Sequence, residues 1–168
     1  MNYLFETNRL RLREFNLSDV KFIIELLNSP GWLEFIGDRN VKTIKQAQNY
    51  LKNGPMKSYR ENGYGLSMVE TREGDKPIGM CGILKREFMD HPDIGFAFLP
   101  AFMAKGYAFE IANETINYTR HHLKIPTISA ITDEKNVKSI RLLEKIGLKF
   151  IKTIVYPDTK EELALYSN

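Results

Sequence analysis

The sequence is poor in the residues that build metal centres and disulfides. It has one cysteine and three histidines in 168 residues. A lone cysteine excludes an internal disulfide and a cysteine-based metal site, and His91 lacks metal-ligand spacing, so we expect no metal. Cys81 lies in an apolar strand pattern, which indicates a buried structural thiol rather than a nucleophile.

Long apolar runs and basic clusters are also missing. No stretch approaches the roughly 20 apolar residues of a membrane span, and the first residues lack the apolar core of a signal peptide. The net charge is +3, and the Lys and Arg residues are scattered, unlike the basic patch of a nucleic-acid-binding protein. We therefore expect a cytoplasmic protein with neither a membrane nor a nucleic-acid partner.

The length of the chain and the absence of one motif narrow the possible classes of protein further. A chain of 168 residues is long enough for a sizeable core, and we expect a single domain over residues 1–168. There is no Gly-x-Gly-x-x-Gly after the first strand, which excludes a nucleotide-binding dehydrogenase.

The most informative stretch begins with the apolar run at residues 93–99. A loop of small residues follows, and a helical pattern begins after Gly106. The first turn of a helix has free backbone N–H groups and about half a positive charge from the aligned peptide dipoles. Ala104, Gly106 and Ala108 leave little bulk over those groups, and Lys105 adds a cation. The pattern predicts a site for the phosphates of a ligand.

Apolar spacing predicts the other elements. Residues 9–13 alternate, so their leucines are expected to face the core and their arginines water. Two helices are predicted before the first long strand. Pro30 ends the first of them, and the capping box of Thr43 and Gln46 begins the second. An antiparallel hairpin, a parallel strand–helix–strand crossover, a helix capped by Asn136 and a final hairpin complete the chain.

Three segments resemble the GNAT N-acetyltransferase family. Residues 103–108 resemble its signature Gln/Arg-x-x-Gly-x-Gly/Ala, with Met103 at the first position. Residues 136–148 resemble Asn-x-x-Ser…Glu-Lys-x-Gly-Phe, with Leu148 in place of Phe. Residues 7–13 resemble the first strand of the branch containing the Rim-type ribosomal-protein N-terminal acetyltransferases. The resemblance covers nearly the whole chain.

The resemblance implies an α/β fold. The GNAT fold is a mixed sheet of about seven strands with about four helices. Most of its strands are antiparallel, and the fourth and fifth form a parallel pair. A bulge near residues 97–99 is expected to separate that pair and admit the pantetheine arm of the donor.

The resemblance also implies a reaction. An acetyl group would move from acetyl-coenzyme A (acetyl-CoA) to a primary amine, a protein N-terminus or a small molecule, by direct transfer in a ternary complex. In the family the loop binds the pyrophosphate, a backbone N–H of the fourth strand polarises the thioester carbonyl, and the Asn of the second segment contacts the pantetheine. The implied donor-binding residues are Ala97, Phe98, Leu99, Met103, Ala104, Lys105, Gly106, Tyr107, Ala108 and Asn136.

Transfer needs a base, because a free alkylammonium has a pKa of about 10. Asp93 occupies the position where many relatives carry Glu, and a solvated charge at a strand start is its alternative role. Glu34 and Asp38 lie in the segment that borders the acceptor site in the family, where loop solubility is the alternative. Trp32 and Phe35 are candidate walls of that site, with burial in the core as the alternative.

Transfer also needs an acid for the leaving thiolate. Many members carry a Tyr in the final helix, where this chain has Leu143. In the ribosomal-protein branch the Ser of Asn-x-x-Ser is the usual proposal, and that residue is Ser139; its alternative role is helix capping. Because the Tyr is missing and Met103 departs from the signature, a non-catalytic acyl-CoA-binding module is the second function considered. We expect a monomer or homodimer.

Overall fold

A mixed sheet forms the centre of the protein. The computed structural model describes residues 2–168, to which all counts of elements refer. Eight strands lie in the order β1-β2-β3-β4-β5-β6-β8-β7, and only β5 and β6 are parallel neighbours. The strands are β1 (Phe5–Glu6), β2 (Leu10–Arg13), β3 (Leu66–Thr71), β4 (Pro77–Leu84), β5 (Asp93–Phe98), β6 (Ser129–Thr132), β7 (Lys149–Val155) and β8 (Glu162–Ser167).

Helices cover both faces of the sheet. One buried cluster joins the sheet to α5 and α6, and a second joins the other face to α1–α4. None of the helices within residues 2–168 is long and apolar enough to cross a bilayer. The helices are α1 (Val20–Leu27), α2 (Pro30–Phe35), α3 (Ile44–Asn53), α4 (Pro55–Asn62), α5 (Tyr107–His121) and α6 (Val137–Lys145).

The mixed sheet with one parallel pair is confirmed, but the numbers of elements differ. There are eight strands rather than seven, because the two-residue β1 is too short to show an alternating pattern. There are six helices rather than four. Pro30, expected only to end a helix, occupies the first turn of α2. Proline is tolerated there because the backbone N–H groups of the first turn have no hydrogen-bond partner within the helix.

The two helix starts predicted from capping signals are confirmed. Thr43 and Gln46 form the capping box of α3, and the Asn136 side chain caps α6. Gly63 ends α4 in the left-handed conformation, with φ +77°. These features depend on residues within one turn of each other, so the sequence alone determines them.

The expected exposure of the arginines in residues 9–13 is confirmed for Arg9 but is wrong for Arg13. Arg13 is buried, with its guanidinium held by Asp19 at 2.9 Å and by Glu70 at 2.6 Å. Arg9 reaches across to the loop before α5. An alternating pattern predicts which side chains point away from the apolar face, but it does not predict which carboxylates elsewhere in the chain pair with them.

Candidate active site

The sheet opens between β5 and β6. Within residues 2–168 these strands pair at a single position, Asp93 with Ser129, whereas β4 and β5 pair along the whole of β5. Gly95, Phe96 and Ala97 are only half-buried, although β5 lies in the middle of an eight-stranded sheet. A gap therefore widens toward the carboxyl ends of the two strands.

The expected bulge does not cause this gap. The register between β4 and β5 runs without a shift through the described part of both strands. The gap forms because β6 pairs with β8 along all four of its residues and leaves β5 after one contact.

The register also determines which amides of β5 face the gap. The Leu99 N–H donates to the Ile78 carbonyl on the β4 side at 2.9 Å, and successive amides alternate in direction. The Ala97 N–H therefore faces β4 as well, while the N–H groups of Phe96 and Phe98 face the gap. Of the three residues expected here, only Phe98 presents its amide to the gap. Phe96 was missed, because sequence does not reveal strand register.

The loop after β5 enters α5 through two left-handed residues. Ala104 has φ +58° and Gly106 has φ +79°. The left-handed region costs a non-glycine residue such as Ala104 about 1–2 kcal/mol, and such strain is concentrated at ligand-binding loops. Gly106 is the N-cap of α5 and supplies no side-chain cap. The first N–H groups of α5 are therefore left to bind an anion.

Cations from three parts of the chain surround this loop. The Arg9 guanidinium lies 4.5 Å from the ring centre of Tyr107. The ammonium groups of Lys76 and Lys105 lie 5.0 Å and 5.7 Å from the ring centre of Phe102. The charge of Arg9 is paired with Glu110 at 2.6 Å. Lys105 was predicted from the sequence, whereas only the folded sheet brings Arg9 and Lys76 close to the loop.

The start of α6 lies at the same edge of the sheet as this loop. Because β5 and β6 are parallel, the segments that follow them leave from the same edge. The Ser139 N–H donates to the Asn136 side chain at 3.2 Å, so the capping role of Asn136 is confirmed. The Ser139 hydroxyl takes no part in that bond, and the side chain is half-buried. Leu143, one turn further on, is buried in the core.

Asp93 lies at the closed end of the gap. Its side chain shares the α1–α4 face with Ala97, and it is 1% exposed. The Arg86 Nε lies 3.0 Å and 3.2 Å from the two carboxylate oxygens, and its Nη1 donates to the Tyr156 hydroxyl at 3.3 Å. Burial raises the pKa of Asp93 to about 6, although the charge of Arg86 and its hydrogen bond act in the opposite direction.

The segment expected at the acceptor site touches the donor loop. A Cβ on Gly31 would lie 3.5 Å from the terminal methyl carbon of Met103, so α2 and the loop are in contact. Trp32 is buried in the cluster beneath α1–α4, and Phe35 is half-buried. Trp32 therefore supports the packing of α2, and Phe35 is the more accessible of the two aromatic residues.

The two acidic residues of this segment are exposed. Glu34 lies on the outer side of α2. Asp38 accepts a hydrogen bond from the backbone of Asn40 at 2.8 Å and lies 3.6 Å from the Lys42 ammonium. The position of Asp38 fits the role of a turn-forming residue.

Cys81 is fully buried in β4 against α5. Its sulfur lies 3.4 Å from the Thr115 hydroxyl, and burial raises its pKa to about 12. A thiol that keeps its proton in the core cannot act as a nucleophile at neutral pH. Within residues 2–168, no group of three or more His, Cys, Asp or Glu side chains is arranged to hold a metal ion.

Comparisons with known proteins agree with this geometry. Residues 9–149 match the family model described as Acetyltransferase (GNAT) domain. The N-acetyltransferase YnaD of Bacillus subtilis, itself uncharacterised, is 27% identical over 144 residues, which cover 85% of this chain and 81% of the relative.

Solved structures with the same fold include two with named acceptors. The ribosomal-protein-S5-alanine acetyltransferase of Vibrio fischeri has a TM-score of 0.80 at 18% identity, over 98% of this chain and 94% of that one. The spermidine N-acetyltransferase of Vibrio cholerae, in complex with CoA and spermine, has a TM-score of 0.79 at 17% identity, over 96% of both chains. Because the family model spans most of the sequence, the chain belongs to the GNAT acetyltransferase family.

Proposed function

We propose that the protein transfers an acetyl group from acetyl-CoA to a primary amine by direct attack in a ternary complex. The observation that carries this proposal is the gap between β5 and β6, which widens toward the edge where α5 begins. A long, thin ligand with phosphates at one end fits that combination. The protein would act as a single cytoplasmic domain, as a monomer or homodimer, without a metal.

The donor would bind along the gap. Its pyrophosphate accepts hydrogen bonds from the first N–H groups of α5, beginning at Gly106, with Arg9, Lys76 and Lys105 as surrounding cations. Its pantetheine arm takes the place that β6 would occupy beside β5. The loop residues Met103, Ala104, Tyr107 and Ala108 and the cap Asn136 complete the donor set.

The amides of β5 would polarise the thioester. Negative charge grows on the carbonyl oxygen as the amine attacks, so a fixed N–H donor stabilises the transition state more than the ground state. Phe98 and Phe96 carry the amides that face the gap. Ala97 and Leu99 would contact the arm without donating to it.

Proton transfer would involve Asp93 and Ser139. The substrate ammonium first gives one proton through water to the Asp93 carboxylate. The neutral amine nitrogen then attacks the carbonyl carbon, and the carbon–sulfur bond breaks with its electron pair on the sulfur. The thiolate takes a proton from Ser139 or from water, and the second proton lost by the nitrogen replaces it. A base whose pKa is about 6 is ionised at neutral pH yet more basic than an ordinary aspartate. Glu34 is the alternative base and Asp38 the less suitable one.

Direct transfer is favoured over a covalent intermediate. The buried Cys81 thiol has a raised pKa of about 12, so it offers no thiolate to accept the acetyl group. The state of this thiol supports attack of the amine on the thioester itself.

Replacing Ser139 tests the acid. Ser139→Ala is expected to lower kcat by ~10-fold to ~100-fold, because the thiolate loses a nearby proton donor. The dissociation constant of acetyl-CoA should change much less, since the cap uses the Ser139 N–H. Ser139→Thr keeps the hydroxyl and should retain most of the rate. Full turnover in Ser139→Ala would reduce Ser139 to a capping residue, and a joint loss of rate and donor affinity would assign it to binding.

A non-catalytic acyl-CoA-binding module is the second candidate function. The observation in its favour is the ion pair between Asp93 and Arg86. The carboxylate that is the candidate base is engaged by Arg86 in this pair. Such a module would bind acetyl-CoA and leave it intact.

An acceptor panel separates these functions. The enzyme is mixed with acetyl-CoA and, in parallel, with N-terminal peptides, polyamines and aminoglycosides, since GNAT neighbours are named for a ribosomal-protein alanine and for spermidine. Thiol release and the mass of each amine are followed together. The proposal predicts equal amounts of free CoA and acetylated amine with at least one class. Donor binding without any acetylated amine would support the module instead.

A further inference from the structure

Arg9 lies immediately before β2 and reaches the donor loop. Its Nη1 donates to the Lys105 carbonyl at 3.0 Å, and its guanidinium lies 4.5 Å from the ring centre of Tyr107. A Cβ on Gly106 would lie 3.4 Å from the Arg9 Nη2. One side chain therefore lies against three successive residues, from Lys105 to Tyr107, the first residue of α5.

Glu110 holds that arginine in place. The Arg9 Nε donates to one Glu110 oxygen at 2.6 Å, and the Arg9 backbone N–H donates to the other at 2.8 Å. The Thr7 hydroxyl donates to the same second oxygen at 2.7 Å. Burial acts to raise the pKa of Glu110, but the hydrogen bonds from Thr7 and Arg9 outweigh it and lower the pKa. The anchor is thus ionised at neutral pH.

The loop before α5 needs an interaction that fixes its conformation. Ala104 and Gly106 both have positive φ, and a strained loop on the surface relaxes unless its surroundings fix it. Glu110 lies in the first turn of α5, where an unpaired carboxylate would repel an incoming phosphate. Pairing with Arg9 offsets that repulsion, and the Glu110 carboxylate then holds the Arg9 side chain in place.

We infer that Arg9 is a positioning residue, which holds residues 103–108 in the conformation that binds the donor phosphates, with Glu110 and Thr7 as its anchor. The inference rests on the proposed function, because it requires acetyl-CoA at the loop. It gives an exposed residue just before β2 a part in a site formed about a hundred residues later.

Two substitutions at Arg9 separate positioning from charge. Arg9→Met removes both, whereas Arg9→Lys keeps the charge and loses the planar fork that bonds Glu110 and Lys105 simultaneously. Both are expected to raise the KM and the dissociation constant for acetyl-CoA by about tenfold to about a hundredfold, the range of one or two hydrogen bonds to a charged group. The kcat and the KM for the amine should stay within about twofold of wild type.

Arg11→Met is the matched control. Arg11 lies two residues further along the chain, in β2, and pairs with Asp75 and Glu6, away from the loop. Its loss should leave the affinity for acetyl-CoA unchanged. Glu110→Gln should weaken donor binding, and combining it with Arg9→Met should add little, because both changes break one contact.

Calorimetry with CoA and thermal unfolding decide the outcome. Weaker CoA binding by folded Arg9→Met and Arg9→Lys supports the inference, and if Arg9→Met fails to fold, Arg9→Lys and Glu110→Gln carry the test. CoA affinity equal to wild type in the folded variants overturns it, whether or not the unfolding temperature falls. Full rescue by Arg9→Lys also overturns it, because charge alone would then suffice. A wild-type protein that binds no CoA overturns the proposed function and this inference together.

Discussion

Gly106→Val is expected to weaken acetyl-CoA binding by at least about a hundredfold, or about 2.8 kcal/mol. Gly106 has φ +79°, a region that a β-branched residue adopts only under strain. The new side chain would also stand over the first N–H groups of α5 and press on Arg9, whose Nη2 lies 3.4 Å from the Cβ position. Isothermal titration calorimetry with acetyl-CoA measures the change.

Gly63→Val is the matched control for this substitution. Gly63 has φ +77°, and its Cβ position has no heavy atom of residues 2–168 within 4 Å. It ends α4 and contacts no part of the donor loop, so Gly63→Val introduces the same backbone strain at a distance. We expect a loss of stability with unchanged donor affinity. Wild-type affinity in Gly106→Val would exclude the loop as the phosphate site.

Asp93→Asn is expected to lower kcat/KM by about a hundredfold to about ten-thousandfold at neutral pH, the range of a positioned base. An amide cannot accept the proton of the amine, whereas donor binding at the other end of the gap should persist. Asp90→Asn, an exposed change three residues earlier, is the control. An Asp93→Asn enzyme with wild-type turnover would transfer the role of base to Glu34 or to water.

The pH profile gives a second test of Asp93. The base acts when it is ionised, so kcat/KM should fall as the pH is lowered through about 6, and this limb should vanish in Asp93→Asn. Stability should change in the opposite sense. Because the folded pKa lies above the unfolded value of about 3.9, the contribution of Asp93 to stability is full below pH ~4 and is lost as the pH rises through about 6.

The opposite effects on activity and on stability distinguish a catalytic carboxylate from a structural one. The ionised, buried Asp93 costs about 3 kcal/mol at neutral pH by the difference of the two pKa values. Asp93→Asn should therefore fold as stably as wild type or more so at pH 7, while losing activity. Loss of stability together with activity would instead indicate that the ion pair with Arg86 supports the fold.

The sequence determines the local parts of this site more completely than the remote ones. The start of α5 after Gly106 and the Asn136 cap depend on neighbouring residues, and both were predicted from a few residues. The contact of Arg9 with Lys105 and the pairing of Asp93 with Arg86 depend on how the strands dock. No spacing in the chain encodes them.

Strand register explains the remaining differences. A shift of one residue reverses the direction of every amide and side chain of a strand. The family resemblance therefore pointed to residues 97–99 but could not tell which of their N–H groups faces the gap. The Leu99 bond to Ile78 makes that choice and adds Phe96. The gap itself arises from the pairing of β6 with β8, which a short β-branched run does not reveal.

A crystal structure of the complex with CoA would show directly where the donor lies. We expect pyrophosphate oxygens within hydrogen-bond distance of the N–H groups at residues 106–108, and a pantetheine arm lying between β5 and β6 beside Phe96 and Phe98. The Arg9 contact with Lys105 should be retained. CoA bound at any other surface, or a gap closed by pairing of β5 with β6 along their full length, would contradict the proposed donor site.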